Sequence, residues 1–113
     1  MELTEREVGT IIVLDLGGRL TLEHNNRLKD KVSSLIFQGR KQIVLNLARL
    51  EYMDSAGLGE VVACASTASK NGGAVKLANT TKRVKDLLTI TKLLTVFESY
   101  DSEAAALESF VAS

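Results

Sequence analysis

The segment with the clearest chemical potential is Asp54-Ser55-Ala56-Gly57-Leu58-Gly59, which joins an apolar stretch to an amphipathic one. Residues 41–47, before it, are apolar at their centre, as expected of a strand covered on both faces. After it, apolar residues recur at helical spacing: Leu58, Val61, Val62, Ala65 and Ala68. Ser55 therefore lies at a strand-to-helix junction, where unpaired backbone N–H groups and the helix dipole can hold an anion.

Two interpretations of Ser55 follow from this position. Its hydroxyl can cap the helix by accepting a backbone N–H, which is the commoner use of such a serine. It can also be a phosphorylation site. Phosphorylation adds a charge of about −1.5 to −2, which the helix end tolerates but which a docked partner would contact directly. Gly57 and Gly59 each cost a helix about 1 kcal/mol relative to alanine. Two such glycines predict tight packing or close approach by another molecule.

Other reactive groups are sparse. One histidine (His24) and one cysteine (Cys64) are too few for a transition-metal cluster with the usual spacing. His24 has polar neighbours and is interpreted as a surface residue, whereas Cys64 lies beside an apolar helical stripe and is interpreted as a packing residue. Gly17-Gly18 and Gly72-Gly73 fit turn and helix-stop signals better than a nucleotide-binding loop. We predict no catalytic residue, no cofactor and no metal site.

A basic cluster, Lys82, Arg83 and Lys85, allows two interpretations. It can pair with an acidic partner surface, or it can simply face water while the apolar residues of the same helix pack inward. The second interpretation is the more common one for a charged helix face.

The composition narrows the class of protein. The 113 residues, 45% hydrophobic and 25% charged, suit one soluble domain. The net charge of zero gives no overall attraction to nucleic acid or anionic lipid, and the few aromatic residues argue against base stacking. No signal peptide and no run of about 18 apolar residues is visible. We therefore predict a cytoplasmic location, no direct nucleic-acid binding and no membrane span.

Strand and helix signals alternate along the chain and predict an α/β fold with a mixed, mainly parallel sheet and about four helices. Predicted strands cover residues 3–7, 11–16, 19–20, 41–47, 74–78 and 94–97. Gly17-Gly18 predicts a change of direction, and residues 48–54 a loop. Predicted helices begin near Thr21, Ser55, Thr81 and Asp101. The second ends at Asn71, and the last carries Ala104, Leu107 and Val111 as apolar residues.

The stretch Tyr52-Met53-Asp54-Ser55-Ala56-Gly57-Leu58-Gly59 resembles the Asp-Ser-Ser/Thr-Gly-Leu-Gly signature of STAS domains in the anti-sigma factor antagonist group. Residues 43–47, 71–73 and 84–88, Leu93-Leu94 and Val96-Phe97 also match that pattern. The resemblance covers about residues 3–111 and implies that residues 1–113 form a single STAS domain.

The resemblance implies a function. Such a protein binds an anti-sigma factor, typically a small ATP-dependent serine kinase, and thereby frees a sigma factor. Ser55 would be the phosphoacceptor, and its phosphorylation would end binding until a serine phosphatase reverses it. The implied partner surface comprises Thr21, Asp54, Ser55, Ala56, Gly57, Leu58, Gly59 and Glu60, with Ser66 or Thr67 on the exposed face of the same helix.

Four positions in three segments depart from the usual family pattern. Ala56 replaces a second Ser/Thr, Asn46 replaces an aspartate, and Gly18-Arg19-Leu20-Thr21 supplies Arg19 and Thr21 where carboxylates are common. Two other functional classes stay open. One is a STAS scaffold or adaptor subunit of a signalling complex or of a lipid or anion transport system. The other is a small-ligand-binding or catalytic α/β domain.

Overall fold

The computed structural model describes residues 1–21, 27–91 and 97–111. Their strands form one sheet in the order β1-β2-β3-β4-β5, with β1 antiparallel to β2 and the other neighbours parallel. The strands are β1 Glu2–Val8, β2 Ile11–Leu20, β3 Gln42–Met53, β4 Ala74–Ala78 and β5 Ser99–Tyr100. The helices are α1 Arg27–Phe37, α2 Ser55–Lys70, α3 Lys82–Ile90 and α4 Glu103–Val111. This architecture confirms the predicted α/β class with a mixed, mainly parallel sheet and four helices.

The two faces of the sheet are covered unequally. One face packs alternate residues of β2 and β3, such as Leu14 and Leu45, against α1, α2 and α3 in the larger core. The other face packs Val13 and Val44 against α4, where Ala106 is fully buried. Burial on both faces explains why the central strands are almost continuously apolar in sequence.

The central strands β2 and β3 are longer than predicted. The change of direction at Gly17-Gly18 and the loop over residues 48–54 are both wrong, because β2 and β3 stay paired as far as Leu20 opposite Met53. The pairing shifts register at two points around the glycines, and Gly18 has a φ of +76°. The glycines therefore accommodate bulges within a continuous strand instead of a turn. This extension carries both strand ends up to the first turn of α2.

Several other boundaries agree with the sequence patterns. Gly9, with a φ of +61°, forms the hairpin between β1 and β2. The Thr81 hydroxyl caps α3 by accepting the Val84 N–H at 3.3 Å. Helix α2 ends at Lys70, and Asn71 is its C-terminal cap.

The C-terminal elements differ from the prediction. Residues 94–96 of the predicted last strand lie outside the described residues, as do Leu93, His24 and the start of the first helix. Phe97 is buried but not in a strand, and β5 is a two-residue strand further along the chain. In α4, Ala106 is buried and Leu107 packs half-buried against the same core, whereas Ala104 and Val111, two of the apolar residues named for this helix, are exposed.

Candidate functional site

Asp54, not Ser55, caps α2. Asp54 has extended dihedral angles (φ −99°, ψ −176°), and its Oδ1 accepts the Gly57 N–H at 2.8 Å. Its own N–H donates to the Leu20 carbonyl at 3.3 Å, which links the cap to the end of β2. The interpretation of Ser55 as the cap is therefore wrong, because β3 runs up to Met53 and leaves Asp54 in the extended conformation that a cap needs.

Ser55 is the first residue of α2 and is exposed. Within the described part of the chain its hydroxyl has no hydrogen-bond partner. The first N–H groups of an α-helix lack partners inside the helix, and the helix dipole places partial positive charge there. The Ser55 hydroxyl is thus an exposed group that can act as a nucleophile, and it lies at a helix end that favours anions.

Gly57 allows α2 to approach β2 closely. A Cβ atom built on Gly57 would lie 2.2 Å from the Leu20 carbonyl oxygen, far inside van der Waals contact. Leu58, next in the chain, is buried in the main core. The prediction of tight packing is therefore confirmed for Gly57. A side chain is excluded there because the helix packs against the backbone at the end of β2.

Gly59 has a different environment. An added Cβ on Gly59 would meet no atom within 4 Å, and the residue is exposed. Ala56 and Ser66 are also exposed, and Thr67 is half-buried. Because Ser55, Gly59 and Ser66 are spaced by four and seven residues, they share one helix face. This face begins at the Ser55 hydroxyl and carries the small residues Gly59 and Ser66 over about three turns of the helix.

The remaining candidate residues, Glu60 and Thr21, border this surface. Glu60 is half-buried, and its Oε1 accepts the Lys29 N–H at 3.0 Å, which joins α2 to α1. Thr21 is half-buried and follows Leu20, whose carbonyl contacts the α2 cap. The structure thus brings the predicted segment and Thr21 to one end of the sheet. The backbone carbonyl of Leu20 was missed, since no side-chain pattern reveals a backbone acceptor.

Cys64 lies on the inward side of α2. It is fully buried, and desolvation raises the pKa of its thiol to about 12. A thiol that stays protonated near neutral pH is a poor nucleophile, in agreement with a packing role.

A second polar cluster lies on the α4 face of the sheet, around Asn46. Its Nδ2 donates to Asp15 Oδ1 at 2.7 Å, and its Oδ1 accepts from Asn79 Nδ2 at 2.8 Å. Arg6 joins the cluster by ion pairs with Asp15, at 2.5 Å, and with Glu103. The Arg6 hydrogen bond, assisted by that of Asn46, lowers the pKa of the Asp15 carboxyl.

We expect Asn46→Asp to destabilise the fold by about 1–3 kcal/mol at pH 7, because a donor to Asp15 becomes a third carboxylate beside Asp15 and Glu103. Repulsion among the three neighbouring carboxylates raises the pKa of at least one of them in the variant. The deficit should therefore shrink as the pH falls to 4.5 and that carboxyl is protonated, whereas the lowered pKa of Asp15 keeps its carboxylate ionised in the wild type over this range. Urea unfolding at pH 7 and pH 4.5 measures this. A deficit that does not change with pH, as expected for Asn46→Ala, would contradict the account.

Comparisons with known proteins agree with this geometry. The STAS domain family model matches residues 3–106, so the chain belongs to the STAS domain family. It is 31% identical over 87 residues to the anti-sigma-B factor antagonist of Bacillus subtilis, an alignment that covers 77% of this chain and 79% of that protein.

Solved structures show the same fold. The crystal structure of TM1081 from Thermotoga maritima matches with a TM-score of 0.88 and 26% identity, over 95% of this chain and 92% of that one. Bacillus SpoIIAA, an anti-sigma factor antagonist, matches in its unphosphorylated form with a TM-score of 0.76 and 23% identity over 99% of both chains. Its phosphorylated form matches with a TM-score of 0.76 and 24% identity, over 96% of this chain and 99% of that one. No helix in the described ranges is long and apolar enough to cross a membrane.

Proposed function

We propose that this protein is an anti-sigma factor antagonist that binds an anti-sigma factor serine kinase and so releases a sigma factor. Phosphorylation of Ser55 ends that binding, and a serine phosphatase restores it. The observation that carries the proposal is the Ser55 hydroxyl, which is exposed and unbonded within the described residues, beside a helix cap that Asp54 already completes.

A phosphate on Ser55 requires no refolding. The cap bond from Gly57 to Asp54 does not involve the hydroxyl, so modification leaves it intact. The positive end of the α2 dipole offsets part of the repulsion between the phosphate and the Asp54 carboxylate. The phosphorylated and unphosphorylated forms should therefore share one fold and differ in their surface.

The change that a phosphate makes to this surface is large enough to oppose binding of a partner. Ala56 and Gly59 have small side chains, so a partner can approach the α2 backbone closely. A phosphate adds bulk and about two negative charges at the edge of this contact, and desolvating an unpaired charge is costly. We assign direct contact to Ser55, Ala56, Gly59 and Thr21. Asp54, Gly57, Leu58 and Glu60 hold the helix in place.

Phosphoryl transfer to Ser55 tests the proposal. The protein is incubated with a serine-kinase anti-sigma factor and ATP, and the modified residue is mapped by mass spectrometry. We expect one phosphate on Ser55, none on Ser55→Ala, and an unchanged amount on Ser66→Ala, which removes another exposed hydroxyl of the same helix. Phosphate on Ser66, or on no residue, would contradict the proposal.

A further inference from the structure

A groove of about 590 Å³ adjoins the Ser55 segment, between the end of β3 and helix α3. Tyr52 and Met53 form one wall and directly precede the Asp54 cap. The other wall comes from α3, where Leu87 and Ile90 provide apolar surface, and the Ile90 side chain is 78% exposed. The groove therefore offers exposed apolar surface next to the candidate site.

Two cations, Lys82 and Arg83, line this groove, and a third, Arg19, lies beside it over the Tyr52 ring. The guanidinium groups of Arg19 and Arg83 lie 4.6 and 5.6 Å from the centre of the Tyr52 ring. Lys82 also lines the groove, together with one carboxylate, Asp86. The described residues give none of these three cations an ion-pair partner, whereas Lys85 on the same helix pairs with Asp101 at 3.0 Å.

Each guanidinium gains a cation–π attraction to Tyr52, but two other features of this arrangement are unfavourable in the isolated protein. Lys82 and Arg83 are the first two residues of α3, where the helix dipole repels cations, and that first turn contains no acidic residue. Two guanidinium groups also share one aromatic ring, so each lies in the field of the other. A bound anion would relieve both repulsions.

We propose that this groove binds an acidic amphipathic segment of the anti-sigma factor. Carboxylates of the segment pair with Arg19 and Arg83, whose planar guanidinium groups suit bidentate contact. Aliphatic side chains of the same segment pack on Leu87 and Ile90, as in other helix-in-groove complexes. The identity of the partner rests on the proposed function, whereas the charge and apolar character of the segment follow from the groove.

The position of the groove couples it to Ser55. The α-carbons of Tyr52 and Ser55 are at most roughly 11 Å apart, the reach of three extended residues. A phosphate on Ser55 therefore adds negative charge near the groove cations and weakens their attraction for an acidic segment. Phosphorylation would then act on the partner at two adjoining places.

Charge reversal in the full-length protein tests the groove. The probe is the anti-sigma factor that phosphorylates Ser55, with affinity measured by titration calorimetry without ATP in 50 and 500 mM NaCl. We expect Arg19→Glu/Arg83→Glu to weaken binding at least thirtyfold and to flatten the salt dependence. The control reversal Lys41→Glu, at an exposed lysine that precedes β3 at the end opposite Ser55 and lies outside this groove, should stay within threefold of wild type. Thermal melting confirms that each variant is folded.

The outcomes separate this inference from the proposed function. If the wild type binds no anti-sigma factor, the proposed function is wrong and the partner assigned here is wrong with it. If the wild type binds and the Arg19/Arg83 variant binds equally well, the groove alone is wrong. Loss of binding to phosphatidylserine vesicles in that variant, with anti-sigma factor affinity unchanged, would assign the groove to a membrane surface and also overturn the inference.

Discussion

Gly57→Ala should lower the melting temperature by on the order of 10 °C or more, corresponding to about 3 kcal/mol of lost stability. The new methyl carbon would lie 2.2 Å from the Leu20 carbonyl oxygen and 2.9 Å from the carbonyl carbon, both backbone atoms. Either α2 or the end of β2 must shift, and that shift also strains the Asp54–Leu20 hydrogen bond. Thermal unfolding followed by circular dichroism measures the loss.

Gly59→Ala is the matched control, because an added Cβ there meets no atom within 4 Å. The same chemical change should leave stability unchanged or raise it by up to about 1 kcal/mol through helix propensity. If both variants lose the same stability, the loss comes from the helix backbone and the packing of Gly57 on Leu20 is not its cause.

Ser55→Asp should weaken binding to the anti-sigma factor at least a hundredfold, about 2.7 kcal/mol, while the melting temperature stays within about 3 °C of wild type. The new carboxylate adds charge to the exposed first residue of α2, where the helix dipole tolerates it and a docked partner must desolvate it. Affinity is measured by titration calorimetry, and stability by thermal melting of the same preparation.

Ser55→Ala is the control for this prediction and should bind as wild type does. Its hydroxyl has no bond to lose within the described residues, so fold and surface shape are kept. Equal affinity of Ser55→Asp and wild type would contradict a role for charge at this position. A large loss of stability in Ser55→Ala would mean that the hydroxyl is part of the fold.

Much of the fold could be predicted, because local patterns determine it. The apolar runs of β2 and β3 are buried on both faces, and alternation of strands with helices gave the parallel order. The length of these strands could not be predicted, since Gly17-Gly18 suits a turn and a bulge equally well. The glycines form a bulge because residues 17–20 pair with residues 49–53 of β3, which keeps the chain in one continuous strand.

The site was predicted in position but not in detail. The sequence places Ser55 at a strand-to-helix junction, yet Asp54 and Ser55 are both good caps on propensity alone. The point at which β3 ends decides between them, and that depends on pairing between distant residues. The same holds for the two glycines, because packing on a backbone carbonyl separates Gly57 from Gly59 only in three dimensions.

The basic residues of α3 show a similar limit. Their spacing predicted a solvated face, and Lys85 does point outward to Asp101. Arg83 instead lies beside Tyr52, and so does Arg19 from another strand. Because β2 and β3 pair Arg19 with Tyr52 near their ends, two arginines 64 positions apart in sequence share one ring. No local pattern could have placed them together.

The most direct test of the central claim is the affinity of one wild-type preparation for its anti-sigma factor in three states. These states are unphosphorylated, fully phosphorylated on Ser55, and dephosphorylated again by a serine phosphatase. We predict tight binding in the first state, at least hundredfold weaker binding in the second, and full recovery in the third. Equal affinity in all three states would contradict a switch at Ser55.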